Sequence, residues 1–219
     1  MQKQLLAGSQ VMRMNSLYKL ITKSVLAGVL IALAGIVYLN CSDKVIGSFL
    51  FSFGLCLVII LEANLYTGKI GYVKSIDDLS EILFMLLLNI VSAYLVGLIS
   101  GMGPMHDSAN AVVSAKLDVF YDTWWITLLK SVGCGICIYG SVEGYKKTKS
   151  FVPVILGVMC FILAGFNHVV ADAFYLGAAR SISVEVLQYL LLVAIGNAIG
   201  SILIRLLQRG WKDEVSTTK

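Results

Sequence analysis

Charge is scarce in this sequence. Only 14% of its 219 residues are Asp, Glu, Lys or Arg, while 58% are hydrophobic. Average soluble domains carry about 25% charged residues and fewer apolar ones, so an ordinary soluble domain is excluded, and so is a disordered chain. The seventeen basic residues are dispersed and leave a formal net charge of only +4, which offers no basic surface for nucleic acid. Histidine occurs twice, as His106 and His168, and four of the five cysteines fall inside apolar runs. Neither a disulfide framework nor a closed four-ligand metal site is expected from such a set. Cys134 and Cys137 have CxxC spacing, but they stand beside Ile136 and Ile138, where cysteine acts as a small hydrophobe. No metal, no cofactor and no enzymatic chemistry are expected. The first apolar run lacks a small-residue cleavage signal, so it reads as a retained span and not a secretory leader.

What the chain has instead is length of apolar sequence. A bilayer core takes about 20 apolar residues as helix, and six stretches qualify: 17–39, 45–66, 81–102, 124–144, 151–167 and 185–207. The expectation is an all-α, six-helix membrane protein in one domain, 1–219. It comprises an N-terminal segment 1–16, a three-helix half 17–102, an outward connection 103–123, a second half 124–207 and a tail 208–219. Six crossings put both termini on one side. Thirteen basic residues would fall on that side against four (Lys44, Lys116, Lys130 and Arg180) on the other, so the termini are expected in the cytoplasm.

Two of the six stretches are interrupted. The second reads "FSFGLCLVIILEANLYTGKIGYV" and breaks at Glu62, Asn64 and "LYTG"; the fifth reads "FVPVILGVMCFILAGFNHVVADAF" and breaks where Asn167, His168 and Asp172 begin. Each is the middle span of a half, and three spans per half set the halves in opposite orientations. Paired broken helices in inverted repeats mark a solute site near the midplane, because irregular backbone at that depth must be covered by protein or line a wet cavity. "ILEANLYT" laid over "ILAGFNHV" sets Tyr66 against His168. Small residues in "LAGVLIALAG" and "IGNAIG" permit close helix packing; Gly196 and Gly200 read as packing residues and Asn197 as a tie between helices.

These segments resemble the formate–nitrite transporter family. "FSFGLCLVIILEANLYTG" is similar to its second helix with a Leu-Phe-Thr loop, "AGFNHVVADAF" to its fifth, "IGNAIG" to its sixth and "LAGVLIALAG" to its first, over about 19–207. The resemblance implies an aquaporin-like protomer, a homopentamer with one pore per subunit, and a small monovalent anion or its weak acid as solute. It makes His168 the central pore histidine, Thr67 the loop threonine facing it, and Leu65 and Tyr66 the loop's Leu-Phe. Phe51, Leu55 and Phe161 become the apolar constriction, and Lys116 the outer vestibule lysine. The inner vestibule cation falls to Arg13 by spacing, or to Lys19. The departures are equally specific. Asn64 and Asn167 stand where the family usually has acids, Asp172 where it has asparagine, and Glu62 where it has a small residue. The third helix shows Ala93 and Tyr94 in place of a Gly-Asn pair. Asp172 is left between pairing with His168 and reaching the outer surface to cap the break; Glu62 is left between pairing with a lysine across protomers, entering the pore and being neutral.

An unpaired ion inside a ring of Phe51, Leu55 and Phe161 would meet a desolvation cost of many kcal/mol. Protonating a carboxylate of pKa about 4 at pH 7 costs about 4 kcal/mol. The smaller cost wins, so the solute is expected to cross as its neutral acid or paired with a proton, hydrogen-bonded by His168, Thr67 and Asn167. Formate and nitrite are the default solutes, and the cell (inner) membrane is the expected location. The alternative is an aquaporin-type channel for a small neutral solute, which would normally carry paired Asn-Pro-Ala loops; the only prolines are Pro104 and Pro153.

Overall fold

A computed structural model describes residues 2–217, with side chains described for 14–208. Among the described residues the regular structure is helical throughout: α1 (Gln2–Leu39), α2 (Lys44–Ile60), α3 (Tyr66–Lys69), a 3₁₀ turn (Ile70–Tyr72), α4 (Ile76–Ser100), α5 (Pro104–Asp122), α6 (Trp124–Thr148), α7 (Val152–Leu163), α8 (Val169–Ala178) and α9 (Val184–Thr217). Stretches within α1, α4, α6 and α9 are apolar and 25 or 26 residues long, enough to cross a bilayer. The interrupted segments are the pairs α2–α3 and α7–α8, as the sequence led us to expect.

Local chemistry sets these boundaries. The Asp43 carboxylate accepts from the Ile46 N–H at 2.8 Å and starts α2. Ser75 and Asp78 form a reciprocal capping box at α4, satisfying donors that the first turn otherwise leaves free. Pro104 sits at the first turn of α5, where its missing N–H costs nothing.

The connection 103–123 is itself a helix, α5. Its sequence is too polar to read as a span, but Met105, Ala109 and Val113 recur at i, i+4, i+8 and are buried. That stripe lays α5 across α8 and α6. His106 ties the arrangement by donating from Nδ1 to the Ala178 carbonyl at 3.0 Å.

The long helices pair as α1 with α4 and α6 with α9, while α8 packs on α4 and α2 on α7. Glycine makes the closest of these contacts possible. A Cβ on Gly97 would meet the Phe174 carbonyl, and one on Gly177 the Tyr94 carbonyl, so α4 and α8 touch backbone to backbone. Gly196 and Gly200 face α6 in the same way, against Leu128, Ser131 and Val132, which is the packing role read for them. Cys134 is fully buried on α6. Large apolar side chains such as Phe53, Leu129 and Leu191 lie on the outside, as they must where lipid or a neighbouring subunit is the solvent.

Candidate functional site: two broken helices and the cavities beside them

The two breaks are built alike. α2 ends and the chain turns through Glu62 at φ +50°; α7 ends and the chain turns through Gly165 at φ +66°. The Ala63 N–H returns to the Val58 carbonyl at 2.9 Å, and the Phe166 N–H to the Phe161 carbonyl at 2.9 Å. Each re-entering helix is then held by an asparagine from a long helix. Asn89 on α4 accepts from the Tyr66 N–H at 2.9 Å and donates to the carbonyls of Ser24 and Asn64 at 2.7 and 2.9 Å. Asn197 on α9 accepts from the Val169 N–H at 3.1 Å and donates to the carbonyls of Ser131 and Asn167 at 2.8 and 2.9 Å. Both are fully buried. At each break they satisfy one carbonyl and one N–H (Asn64 and Tyr66, Asn167 and Val169), groups whose orphaning away from water would cost several kcal/mol each, and they anchor the loop to a carbonyl of a neighbouring long helix.

In this register Leu65 is the counterpart of His168, each being the residue before the re-entering helix, and Asn64 is the counterpart of Asn167. The short sequence match that opposed Tyr66 to His168 is therefore displaced by one residue. The Tyr66 side chain turns to α9: its hydroxyl donates to the Ala194 carbonyl at 3.0 Å.

His168 and Thr67 meet where the two breaks meet. Thr67 Oγ1 lies 2.9 Å from His168 Nε2, with both residues almost wholly buried. The opposite ring nitrogen, Nδ1, accepts from the Ala171 N–H at 3.1 Å and caps α8. A backbone N–H can only donate, so the neutral imidazole carries its proton on Nε2 and donates to Thr67. A second proton, on Nδ1, would have to displace that cap. The Phe161 ring stacks on His168 at 5.6 Å, and Phe51 meets Phe161 edge-on at 6.1 Å. Phe51, Leu55, Leu65 and Phe161 are all buried.

A cavity opens on either side. On the α5 side one of about 320 Å³ is bordered by Phe161, Asn167, His168, Asp172 and Lys116, with Lys44 and Lys130 also on its wall. The Lys116 ammonium donates to Asn167 Oδ1 at 2.7 Å and pairs with Asp172 Oδ1 at 3.1 Å. The Tyr189 hydroxyl donates to the other Asp172 oxygen at 2.8 Å. Asp172 therefore neither pairs with His168 nor reaches the outer surface; it is buried and compensates Lys116. On the opposite side a cavity of about 820 Å³ is bordered by Leu55, Leu65, Asn64, Glu62, Lys23 and Lys69, among others. Glu62 pairs with Lys23 at 3.3 Å within the same chain. Lys19 is exposed one helical turn before Lys23, off this wall. Of the two lysines on this stretch of α1, Lys23 borders the cavity. Arg13, the other candidate, lies outside the residues whose side chains are described. Sequence reading also passed over Lys69, two residues beyond Thr67, and Asn89, a lone amide inside the apolar run "FMLLLNIV".

The chain matches the family model described as "Formate/nitrite transporter" over residues 1–209. It is 26% identical over 157 residues to the uncharacterized transporter YrhG of Bacillus subtilis (strain 168), covering 63% of this chain and 58% of that protein. It is 27% identical over 180 residues to the formate channel BtFdhC of Bacillus thuringiensis, covering 72% of this chain and 68% of that one. Among solved structures, an FNT family ion channel superposes with a TM-score of 0.78 at 18% identity, over 91% of this chain and 92% of the other. A pentameric formate channel with formate bound superposes with a TM-score of 0.73 at 18% identity, over 92% and 98%.

Proposed function

The chain belongs to the formate/nitrite transporter family, and from that premise we propose that it is a homopentameric channel or transporter passing a small monovalent anion or its weak acid, formate foremost, through each subunit. It is an integral membrane protein of the FNT channel fold. The observation that carries the reading is the 2.9 Å contact of Thr67 with His168, set between two lysine-bearing cavities and ringed by Phe51, Leu55, Leu65 and Phe161. Six crossings in two oppositely oriented halves, 17–102 and 124–207, account for the matched breaks and their matched asparagines. Both termini lie in the cytoplasm, with the α5 cavity facing outward, and the inner membrane is the natural location.

The mechanism follows from the costs. Lysines at each mouth concentrate the anion. The apolar ring admits it only once its charge is shed, so the solute passes as its acid or with a proton. Thr67 and His168 hydrogen-bond it at the narrowest point. His168 acts through the Nε2 proton, since Nδ1 is held by Ala171. This geometry favours an imidazole that stays neutral and lends a hydrogen bond over one that cycles through a cation.

Formate and nitrite uptake into proteoliposomes, with glycerol swelling as the neutral comparison, tests the reading. At fixed total formate, initial flux should rise as pH falls, because the acid fraction grows about tenfold per unit above its pKa. A flux that climbs with pH would show the bare anion crossing and overturn the proton-linked route. Glycerol conduction without formate flux would favour the neutral-solute channel.

A further inference from the structure

We infer that Lys69, with Asn64, forms an anion-binding station on the wall of the larger cavity. The inference rests on the anion-transport reading above and deepens it. The two break loops each present an asparagine to a lysine, and the two contacts have the same length. Lys116 reaches Asn167 at 2.7 Å, and Lys69 reaches Asn64 at 2.7 Å. What surrounds them differs. Lys116 is also ion-paired to the buried Asp172 at 3.1 Å, so that lysine brings no net charge to its loop. Lys69 has no carboxylate within ion-pairing distance among the described residues; the only pair on its side of the molecule joins Lys23 to Glu62.

The chemistry of the station follows from this difference. An ammonium has three N–H donors. Asn64 Oδ1 takes one from Lys69, leaving two for a ligand. Asn64 lines the same cavity, and among the described residues its Nδ2 has no hydrogen-bond partner. A carboxylate or nitrite oxygen pair suits such donors, since hydrogen bonds to an ionised acceptor are about twice as strong as neutral ones. The cavity wall carries four lysines (Lys23, Lys69, Lys74 and Lys146) against three carboxylates (Glu62, Asp78 and Glu81), so the field there also favours an anion. Lys69 sits two residues from Thr67, so an anion held there waits one loop turn from the Thr67–His168 contact. The station is the last charged stop before the apolar ring on that side.

Radiolabelled formate uptake by membrane vesicles of both orientations tests the station, with sidedness read from protease access to a C-terminal tag. With formate supplied at the Lys69 face, Lys69→Gln should raise the half-saturating concentration about tenfold, the worth of one charge-assisted contact. The maximal rate should hold, Lys69→Arg should stay near wild type, and the opposite face should keep its half-saturation. Line broadening of ¹³C-formate by the solubilised full chain gives a second readout, which Lys69→Gln should reduce. An unchanged half-saturation with unchanged broadening, or an equal shift at both faces, overturns the station and leaves the transport reading standing. Wild-type vesicles without formate flux overturn the transport reading, while a Lys69-dependent broadening in the same protein would still support the station.

Discussion

The imidazole of His168 has two jobs, one on each nitrogen, and they can be separated. Asparagine is a strong N-cap residue, so His168→Asn keeps a cap for α8 while removing the Nε2 proton. Its expected outcome is an assembled protein with little formate flux. Thr67→Val removes the partner oxygen at nearly constant volume; flux should fall at least several-fold, Thr67→Ser should restore it, and thermal melting should barely move. Asp172→Asn keeps one acceptor oxygen where Tyr189 and Lys116 now use two, and it uncovers the ammonium. It should lower the melting temperature by the equivalent of about 1–3 kcal/mol and lower the half-saturating formate at the α5 face. At this scale the fold brings together residues that the sequence singles out: Leu55, Phe161, His168 and Lys116 stand on cavity walls, Thr67 lies against His168, and Phe51 lies against Phe161. Two placements needed geometry. Lys19 and Lys23 are one turn apart on α1, and sequence does not say which turn meets the Glu62 loop. The Tyr66 hydroxyl found a carbonyl on α9, because a buried phenol needs a partner and none is visible in the neighbouring sequence.

At the scale of elements, the molecule depends on two buried asparagines. Asn197→Leu would leave the Val169 N–H and the Asn167 carbonyl without this partner at once, each worth about 1–3 kcal/mol. Loss of assembled protein on size-exclusion chromatography is the expected outcome, and Asn89→Leu should behave alike. The turn at Gly165 offers a milder test. Nothing lies within 4 Å of a Cβ placed there, so Gly165→Ala should cost only the backbone term, about 1–2 kcal/mol, read as a small fall in melting temperature. The breaks themselves were legible, since polar residues inside apolar runs leave few other structures open. Asn89 was not, because the resemblance directs attention to Ala93 and Tyr94, one turn further on. α5 was hidden for a different reason: its apolar stripe is narrow and its average is polar, so it reads as a connection until α8 is there to receive it.

For the whole molecule, the apolar outer surface calls for partners as well as lipid. The solubilised protein should run as five copies of the 23.8 kDa chain in native mass spectrometry once detergent is stripped. A stable monomer would contradict the proposed assembly. Composition alone made the membrane class plain, and apolar run lengths made the helices plain. The seating of α4 on α8 depends on backbone contact at Gly97 and Gly177, and that of α2 on α7 on side-chain shape, neither of which run length encodes. One consequence follows from the bracing. Asn89 ties only to Ser24, Asn64 and Tyr66, and Asn197 only to Ser131, Asn167 and Val169. Each brace begins and ends within 17–102 or within 124–207, so in the channel we propose the route for solute is a joint between two prefabricated parts. Its bore can be retuned by resurfacing the joint, one side chain at a time, without touching the framework that keeps either part in shape.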